Sequence, residues 1–216
     1  MRREAFLDVA QRLIVTKGYD RMSIQDVLDE LETSRGALYH YFDSKQALLD
    51  GVVNRLADEG LAPVASILGD RSLPALRKLE RVLGAIASFK AGNVELVLAI
   101  VKVWSSDGNA LVRERLRALS AQRLLPILST IISQGAEEGI ISTSSPEETA
   151  RVILYLIQGY QQLATEQLLG RQAGTVGFND VLRSSAAFTV AFERILGIPS
   201  GSVTLADEPT LRFWYG

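Results

Sequence analysis

The apolar residues of this chain recur every three or four positions, which is the spacing of one face of an α-helix. In the first segment, residues 3–17, the side chains of Phe6, Val9 and Leu13 share such a face, and Gly18 follows as a stop signal. No stretch alternates apolar and polar residues between turn signals as a β-hairpin would. The pattern therefore predicts an all-α protein.

Start and stop signals divide the pattern into about nine helices, three short ones followed by longer ones. Ser23 with Asp26, and Ser145 with Glu148, have the spacing of a capping box, and Ser44 is expected to cap the fourth helix. The expected helices cover residues 3–17, 23–31, 34–42, 45 into the sixties, 74–89, 93–106, 110–138, 145–169 and 179–196.

The composition is that of an ordinary globular protein. Of 216 residues, 47% are apolar and 22% are charged, which favours a globular protein over the disordered and fibrous classes. The net charge of −2 excludes a protein that is basic over its whole surface, although it leaves room for a local basic patch.

The residue types that catalysis and metal binding require are scarce. There is no cysteine, and His40 is the only histidine, so disulfides, thiolate chemistry and multi-histidine metal sites are excluded. No glycine-rich phosphate loop and no paired nucleophile and base are recognisable. We expect neither an enzyme nor a bound cofactor or metal.

No segment has the properties of a membrane anchor. The most apolar stretch, residues 94–104, contains Glu95 and Lys102 and is too short and too charged to cross a bilayer. Glu4 and Asp8 interrupt the apolar positions near the start, unlike the apolar core of a signal peptide. We expect a cytoplasmic protein that does not bind membranes.

Residues 23–42 combine two short helices joined by a turn of two or three residues, as in a helix-turn-helix. In that motif the second helix lies in the DNA major groove with its first residues towards the base edges. Here those residues begin at Ser34. Arg35 can reach a guanine or a phosphate, Gly36 lets the backbone approach, and Ala37 can contact a thymine methyl group.

The residues that follow can serve the DNA backbone. Tyr39 and His40 supply donors for phosphates, and Lys45 adds its ammonium group to the free N–H groups at the start of the fourth helix. Two alternatives stay open. Tyr41 can face DNA or the core, and Lys45 can be an ordinary solvated lysine.

The run Gly-Ala-Leu-Tyr-His-Tyr-Phe-Asp-Ser-Lys at 36–45, preceded by Lys-Gly-Tyr at 17–19 and Ser-Ile at 23–24, resembles the N-terminal domain of the TetR/AcrR family of bacterial transcriptional regulators. Each piece alone is a weak signal, and their order makes the combination specific. The resemblance covers about the first quarter of the chain. The remainder matches only in size and helical layout.

The resemblance implies a three-helix DNA-binding domain at 1–48, a helical ligand-binding and dimerisation domain at 49–198, and a tail at 199–216. It implies a homodimeric regulator, a repressor, whose partners are an operator of double-stranded DNA and a small-molecule effector. Leu38 and Phe42 would point inward. The DNA contacts would be Ser34, Arg35, Gly36, Ala37, Tyr39, His40 and Lys45, with Tyr41 as a further candidate and Arg2 or Arg3 as a basic arm.

Two positions depart from the family pattern. The turn before the recognition helix has Glu32 and Thr33 where relatives have glycine and an apolar residue, and a left-handed Glu32 would cost about 1 kcal/mol relative to glycine. Asp43 places a carboxylate beside the proposed phosphate contacts. Residues 1–45 hold seven Lys or Arg and eight Asp or Glu, a net charge of −1. The alternative is therefore a ligand-binding or protein-interaction protein whose N-terminal domain no longer binds DNA.

The C-terminal part offers candidates by composition alone. For the ligand pocket they are Trp104, Gln134, Tyr155 and Gln158, with a place in the core or on the surface as the alternative for each. For the dimer interface they are Ala187, Phe188, Ala191 and Phe192, because small residues let helices approach closely; a monomeric bundle is the alternative. The tail either packs on the body or stays mobile.

Overall fold

The computed structural model describes residues 2–105 and 109–216. Within these ranges the chain forms eleven α-helices and no strand, so the all-α prediction is confirmed. The helices are α1 Arg2–Thr16, α2 Ile24–Glu30, α3 Arg35–Tyr39, α4 Lys45–Leu61, α5 Val64–Gly69, α6 Ala75–Gly92, α7 Val94–Ser105, α8 Ala110–Glu137, α9 Pro146–Gln172, α10 Phe178–Leu196 and α11 Glu208–Tyr215.

Nine of these helices correspond to the predicted ones, and α5 and α11 are additional. The predicted end of the sixth helix at residue 106 lies outside the described residues. Two predicted caps are confirmed. The Ser23 hydroxyl accepts from the Asp26 N–H while the Asp26 carboxylate accepts from the Ser23 N–H, and the Ser44 hydroxyl accepts from the Ala47 N–H.

The capping box predicted at the start of α9 is wrong. Ser145 precedes the helix, but its hydroxyl makes no capping bond, and Glu148 instead pairs with Arg151 at 3.4 Å. The reason lies in the backbone: ψ of Ser145 is 80°, whereas ψ of Ser23 is 160°. Without the extended conformation the hydroxyl is not directed at the first turn.

The chain divides into two compact units: Met1–Ala62 with Ile86–Leu119, and Pro63–Ala85 with Ser120–Gly216. The core of the first unit is formed by apolar residues of α1 to α4, α7 and the start of α8. Leu96 and Val103 of α7 belong to the same core as Leu38 of α3. The compact unit around the helix-turn-helix therefore extends well beyond residue 48.

In the second unit α9 packs against α10, and α11 packs against both. Leu211 of α11 is 4% exposed, the Arg171 side chain donates to the Tyr215 carbonyl at 2.7 Å, and the Tyr215 hydroxyl donates to the Ala164 carbonyl at 3.3 Å. Burial raises the pKa of Tyr215 above its ordinary value. Of the two alternatives for the tail, packing on the body is the one observed.

Taken singly, no described helix is long and apolar enough to span a membrane. The pair α6 and α7 meets that condition only in combination, across a bend of 93°.

Candidate nucleic-acid interface

The recognition helix α3 is short and firmly anchored. It begins after Ser34, whose hydroxyl accepts from the Ala37 N–H at 3.3 Å, and its turns continue as the Phe42 N–H donates to the Leu38 carbonyl at 2.9 Å. Leu38 is 0% exposed and Phe42 is 4% exposed. Both point inward as predicted, and because the anchors lie four residues apart they fix one face of the segment against the core.

The other face of this segment is open to solvent. Arg35, Gly36 and His40 are exposed, and Tyr39 is 48% exposed. Within residues 2–105 and 109–216, Arg35 forms no ion pair. A Cβ built on Gly36 would meet no atom within 4 Å, so packing inside the chain does not require glycine there.

Tyr41, for which the sequence left open a place facing DNA or in the core, is partly packed and partly exposed. Its ring is 41% exposed, yet it lies 6.1 Å from the Phe6 ring and 4.9 Å from the His40 ring, measured between centroids. The ring therefore packs over the edge of the core while part of its surface remains available.

The turn between α2 and α3 is a Schellman motif that has glutamate, and not the usual glycine, at its left-handed position. Glu32 has φ of 47°, and it is the one described residue other than glycine with positive φ. Its N–H donates to the Asp29 carbonyl at 3.2 Å, and the Thr33 N–H donates to the Leu28 carbonyl at 3.0 Å. Glu32 thus adopts the left-handed conformation that costs about 1 kcal/mol relative to glycine.

Lys45, at the start of α4, is half-buried and contacts other residues of the domain. Its ammonium group donates to the Asp20 carbonyl at 3.1 Å and lies 4.4 Å from the centroid of the Tyr19 ring. Burial lowers the pKa of Lys45 from its ordinary value. Lys45 is thus not an ordinary solvated lysine, and nothing in the sequence identified Tyr19 and Asp20 as its partners. The neighbouring Asp43 carboxylate accepts from the Ser44 hydroxyl at 2.9 Å.

Some carboxylates of the DNA-binding domain form ion pairs with basic side chains of the same domain. Asp26 pairs with Lys17 at 2.7 Å, and this partner, followed by the bonds from Ser23, lowers the pKa of Asp26 to about 2. Arg12 pairs with Glu30. Both bases are already included in the net charge of −1, so these pairs show that Asp26 and Glu30 are screened locally and leave the net charge unchanged.

A second group of ion pairs joins α4 to α1. The Arg55 guanidinium donates to Asp8 at 2.6 Å, to Glu4 at 3.4 Å and to Gln11 at 2.7 Å. The proposed basic arm is part of the same helix, because α1 already begins at Arg2.

Arg3, the other candidate for the arm, is engaged within the domain. It pairs with Glu4 at 3.1 Å and lies 5.4 Å from the Phe42 ring centroid. Arg2 is exposed.

The four pocket candidates differ in their surroundings. Trp104 belongs to the first unit, where it packs against the core, and the other three belong to the second unit. Tyr155 is 70% exposed and so lies on the surface of the chain. Gln134 donates to the Leu73 carbonyl at 2.9 Å and to Glu138, which makes it a link between segments of the second unit. Gln158 is half-buried.

The four candidates for the dimer interface differ in how deeply they are buried. Phe192 is 1% exposed and belongs to the core of its own unit, and Phe188 pairs with Tyr160 at 4.5 Å between ring centroids. Ala187 is exposed and Ala191 is half-buried. These two alanines lie in a shallow apolar depression on α10, lined by Ala186, Ala187, Val190, Ala191, Arg194 and Ile195.

Comparison with known proteins agrees with this geometry. Residues 6–52 match the family model described as bacterial regulatory proteins, tetR family, and residues 93–168 match a Tetracyclin repressor-like C-terminal domain. The two segments together make up more than half of the chain. The chain belongs to the TetR family. Its helix-turn-helix is therefore that of a DNA-binding transcriptional regulator.

Some relatives of this TetR-family regulator are similar along most of their length. The HTH-type transcriptional repressor DhaR of Mycobacterium sp. (strain GP1) is 26% identical over 158 residues, which cover 73% of this chain and 79% of the relative. A TetR-family structure from Syntrophomonas wolfei has a TM-score of 0.63 at 18% identity and covers 93% of this chain and 97% of its own. The SmeT–triclosan complex has a TM-score of 0.61 at 17% identity, and the match covers 95% of this chain and 97% of the SmeT chain.

Proposed function

We propose that the protein is a homodimeric repressor that inserts residues 34–41 of each protomer into successive major grooves of a pseudo-palindromic operator. The observation that carries this proposal is the division of the recognition segment. Leu38 and Phe42 are buried, while Arg35, Tyr39 and His40 face solvent. A helix anchored on one face and polar on the other is what groove insertion requires.

The roles of the individual residues follow from their remaining hydrogen-bonding capacity. The Ser34 hydroxyl uses an acceptor position to cap α3, so its proton stays free to donate to a phosphate. Arg35 has its full set of donors for a guanine or a phosphate. Tyr39 and His40 donate to the backbone, and Lys45 joins the free N–H groups at the start of α4 in holding a further phosphate.

The dimer forms through the exposed face of α9 and α10. The depression on α10 is apolar, and on α9 the large apolar side chains of Val152 and Tyr155 are 49% and 70% exposed. Exposed apolar surface on two neighbouring helices of one unit supports pairing with a second copy, which would bury it around a two-fold axis. Tyr155 thereby moves from the ligand candidates to the interface.

A small molecule bound by the C-terminal part modulates DNA affinity, and the protein works in the cytoplasm where its operator lies. Two observations support the effector: the match to a repressor-like C-terminal domain and the shared fold with SmeT, whose structure is a complex with triclosan. Of the candidates for ligand contact, Gln134 and Gln158 both lie in the second unit and are half-buried. Coupling between effector and operator would amount to about 1–3 kcal/mol.

Changing Tyr39 to Ala tests the DNA interface. We expect operator affinity, measured by mobility shift at fixed salt, to fall by about 1–3 kcal/mol per half-site, because the ring is exposed and contributes a base or phosphate contact. Phe213→Ala is the matched control, since Phe213 is 56% exposed in α11 and its loss should leave affinity unchanged. Equal affinity of Tyr39→Ala and wild type would contradict the proposed interface.

A further inference from the structure

The ammonium group of Lys45 has two close neighbours from another part of the chain. The Asp20 carbonyl accepts its hydrogen bond at 3.1 Å, and the Tyr19 ring faces it with the centroid 4.4 Å away. Both neighbours lie in the connection between α1 and α2, 26 and 25 residues before Lys45 in sequence. We call the Tyr19 ring and the Asp20 carbonyl the Lys45 seat.

We propose that the Lys45 seat is a positioning device for DNA binding, which holds the lysine ready for a phosphate and keeps it seated in the complex. The inference rests on the proposed function, since it presumes that Lys45 contacts the operator backbone. Tyr19 acts through Lys45 and touches no DNA itself in this arrangement.

Hydrogen-bond capacity allows the seated lysine to bind a phosphate. An ammonium group has three N–H donors, and the Asp20 carbonyl uses one of them. The aromatic face attracts the cation without using up a donor. The remaining donors are free for a phosphate oxygen beside the N–H groups of the first turn of α4.

Ordering the lysine in advance removes a cost from DNA binding. A free lysine side chain loses about 2 kcal/mol of rotamer entropy when it is fixed, and immobilising a flexible side chain at an interface costs about 0.5–1.5 kcal/mol. In the seat this cost is met when the protein folds. The partial burial that lowers the pKa of Lys45 also means that less water has to be removed when the phosphate arrives.

Neighbouring carboxylates could compete with a phosphate for Lys45, but three of them bind other side chains. The Asp20 carboxylate accepts from Asn109 at 3.4 Å, and the Asp50 carboxylate accepts from Arg115 at 3.2 Å. The Asp26 carboxylate is paired with Lys17 at 2.7 Å. Because each carboxylate has a partner of its own, the ammonium group stays available to the DNA.

Salt dependence separates a lost phosphate contact from a badly positioned one. Lys45→Met should lower operator affinity and reduce the slope of log affinity against log salt by about 0.9 per half-site, since one phosphate is no longer neutralised. Tyr19→Leu should lower affinity by about two- to tenfold per half-site with the slope unchanged, since Lys45 still reaches the phosphate but must be ordered on binding. Tyr19→Phe keeps the aromatic face and should match the wild type.

The double variant Tyr19→Leu with Lys45→Met completes the cycle. If Tyr19 acts through Lys45, adding Tyr19→Leu to Lys45→Met should cause no further loss of affinity. Additive losses, an unchanged affinity in folded Tyr19→Leu, or a Tyr19→Phe variant as weak as Tyr19→Leu would each overturn the seat. Failure of the wild type itself to bind any selected DNA would instead refute the proposed function.

A measurement on the wild-type protein guards against a Tyr19→Leu variant that does not fold. The Tyr19 ring should shift the NMR signals of the Lys45 methylene protons nearest the ammonium group upfield in the free protein. The same shift should persist when operator DNA is added. Loss of the shift on DNA binding would show that Lys45 leaves the ring, and the proposal would then be wrong.

Discussion

At the scale of single residues, Glu32 is the clearest source of backbone strain in the DNA-binding domain. The Schellman motif that ends α2 needs a left-handed residue, and Glu32 supplies it with φ of 47°. A side chain in this region brings its Cβ close to the following carbonyl oxygen. The carboxylate also lies in the turn that leads directly into the recognition helix.

Changing Glu32 to Gly should therefore stabilise the protein by about 1 kcal/mol, measured as the free energy of unfolding in urea. Glu32→Gln is the matched control, because it removes the charge and keeps the strained backbone. We expect no comparable gain from it. If both variants were stabilised equally, relief of charge repulsion and not of backbone strain would be the cause.

Sequence alone could place the residues of the recognition segment but not those around Lys45. The family resemblance implied inward Leu38 and Phe42 and an outward Tyr39, and the four-residue spacing of Leu38 and Phe42 agrees with a shared inner face. The contact of Lys45 with Tyr19 and Asp20 joins two segments far apart in the chain, and no periodicity reports such a contact. Tyr41 stayed undecided because it does both: its ring is partly exposed and partly packed against Phe6.

At the scale of elements, helices with long apolar stripes or a recognisable motif were predictable, whereas the short helices α5 and α11 were not. The segment Glu208–Tyr215 has only eight residues, too few for a stable isolated helix, so its own sequence carries a weak signal. Tertiary contacts with α9 hold it in place: Arg171 binds the Tyr215 carbonyl, and Leu211 is buried. The wrong prediction of a capping bond at Ser145 has a similar origin, since the backbone angles and not the residue spacing decide whether the bond forms.

The variant Leu211→Ala tests whether α11 is an integral part of its unit. Leu211 is 4% exposed, so its truncation should lower the free energy of unfolding by about 2–4 kcal/mol. Phe213→Ala on the same helix removes a larger side chain that is 56% exposed, and it should change stability by less than about 0.5 kcal/mol. A thermal or urea transition of Leu211→Ala that coincides with the wild type would show that the tail is dispensable.

At the scale of the whole molecule, the proposed account requires two copies of the chain. Its exposed apolar surface on α9 and α10, including Val190 at 39% and Val152 at 49% exposure, is the kind of surface that a partner covers. A two-fold dimer would also explain how two recognition helices reach half-sites one helical turn of DNA apart.

Placing a charge in this face should separate the protomers. We expect Val190→Asp to weaken association by about 2–4 kcal/mol. In the dimer, each of the two copies would bury one unpaired carboxylate in the shared interface. Sedimentation equilibrium across a range of protein concentrations measures the change. Ile140→Asp, at another position with an exposed apolar side chain, is the control and should leave the dimer intact. A Val190→Asp protein that remains as dimeric as the control would place the interface elsewhere.

The central claim is that two copies of residues 34–41 recognise a symmetric DNA site. Selection of bound fragments from random DNA by the wild-type protein, followed by sequencing, tests it most directly. We predict enrichment of an inverted repeat whose half-site centres lie about one helical turn apart, and loss of that enrichment with Tyr39→Ala. Retention of no DNA, or enrichment of a single site without two-fold symmetry, would contradict the account. Retention of no DNA would favour a helical ligand-binding protein whose N-terminal domain no longer binds DNA.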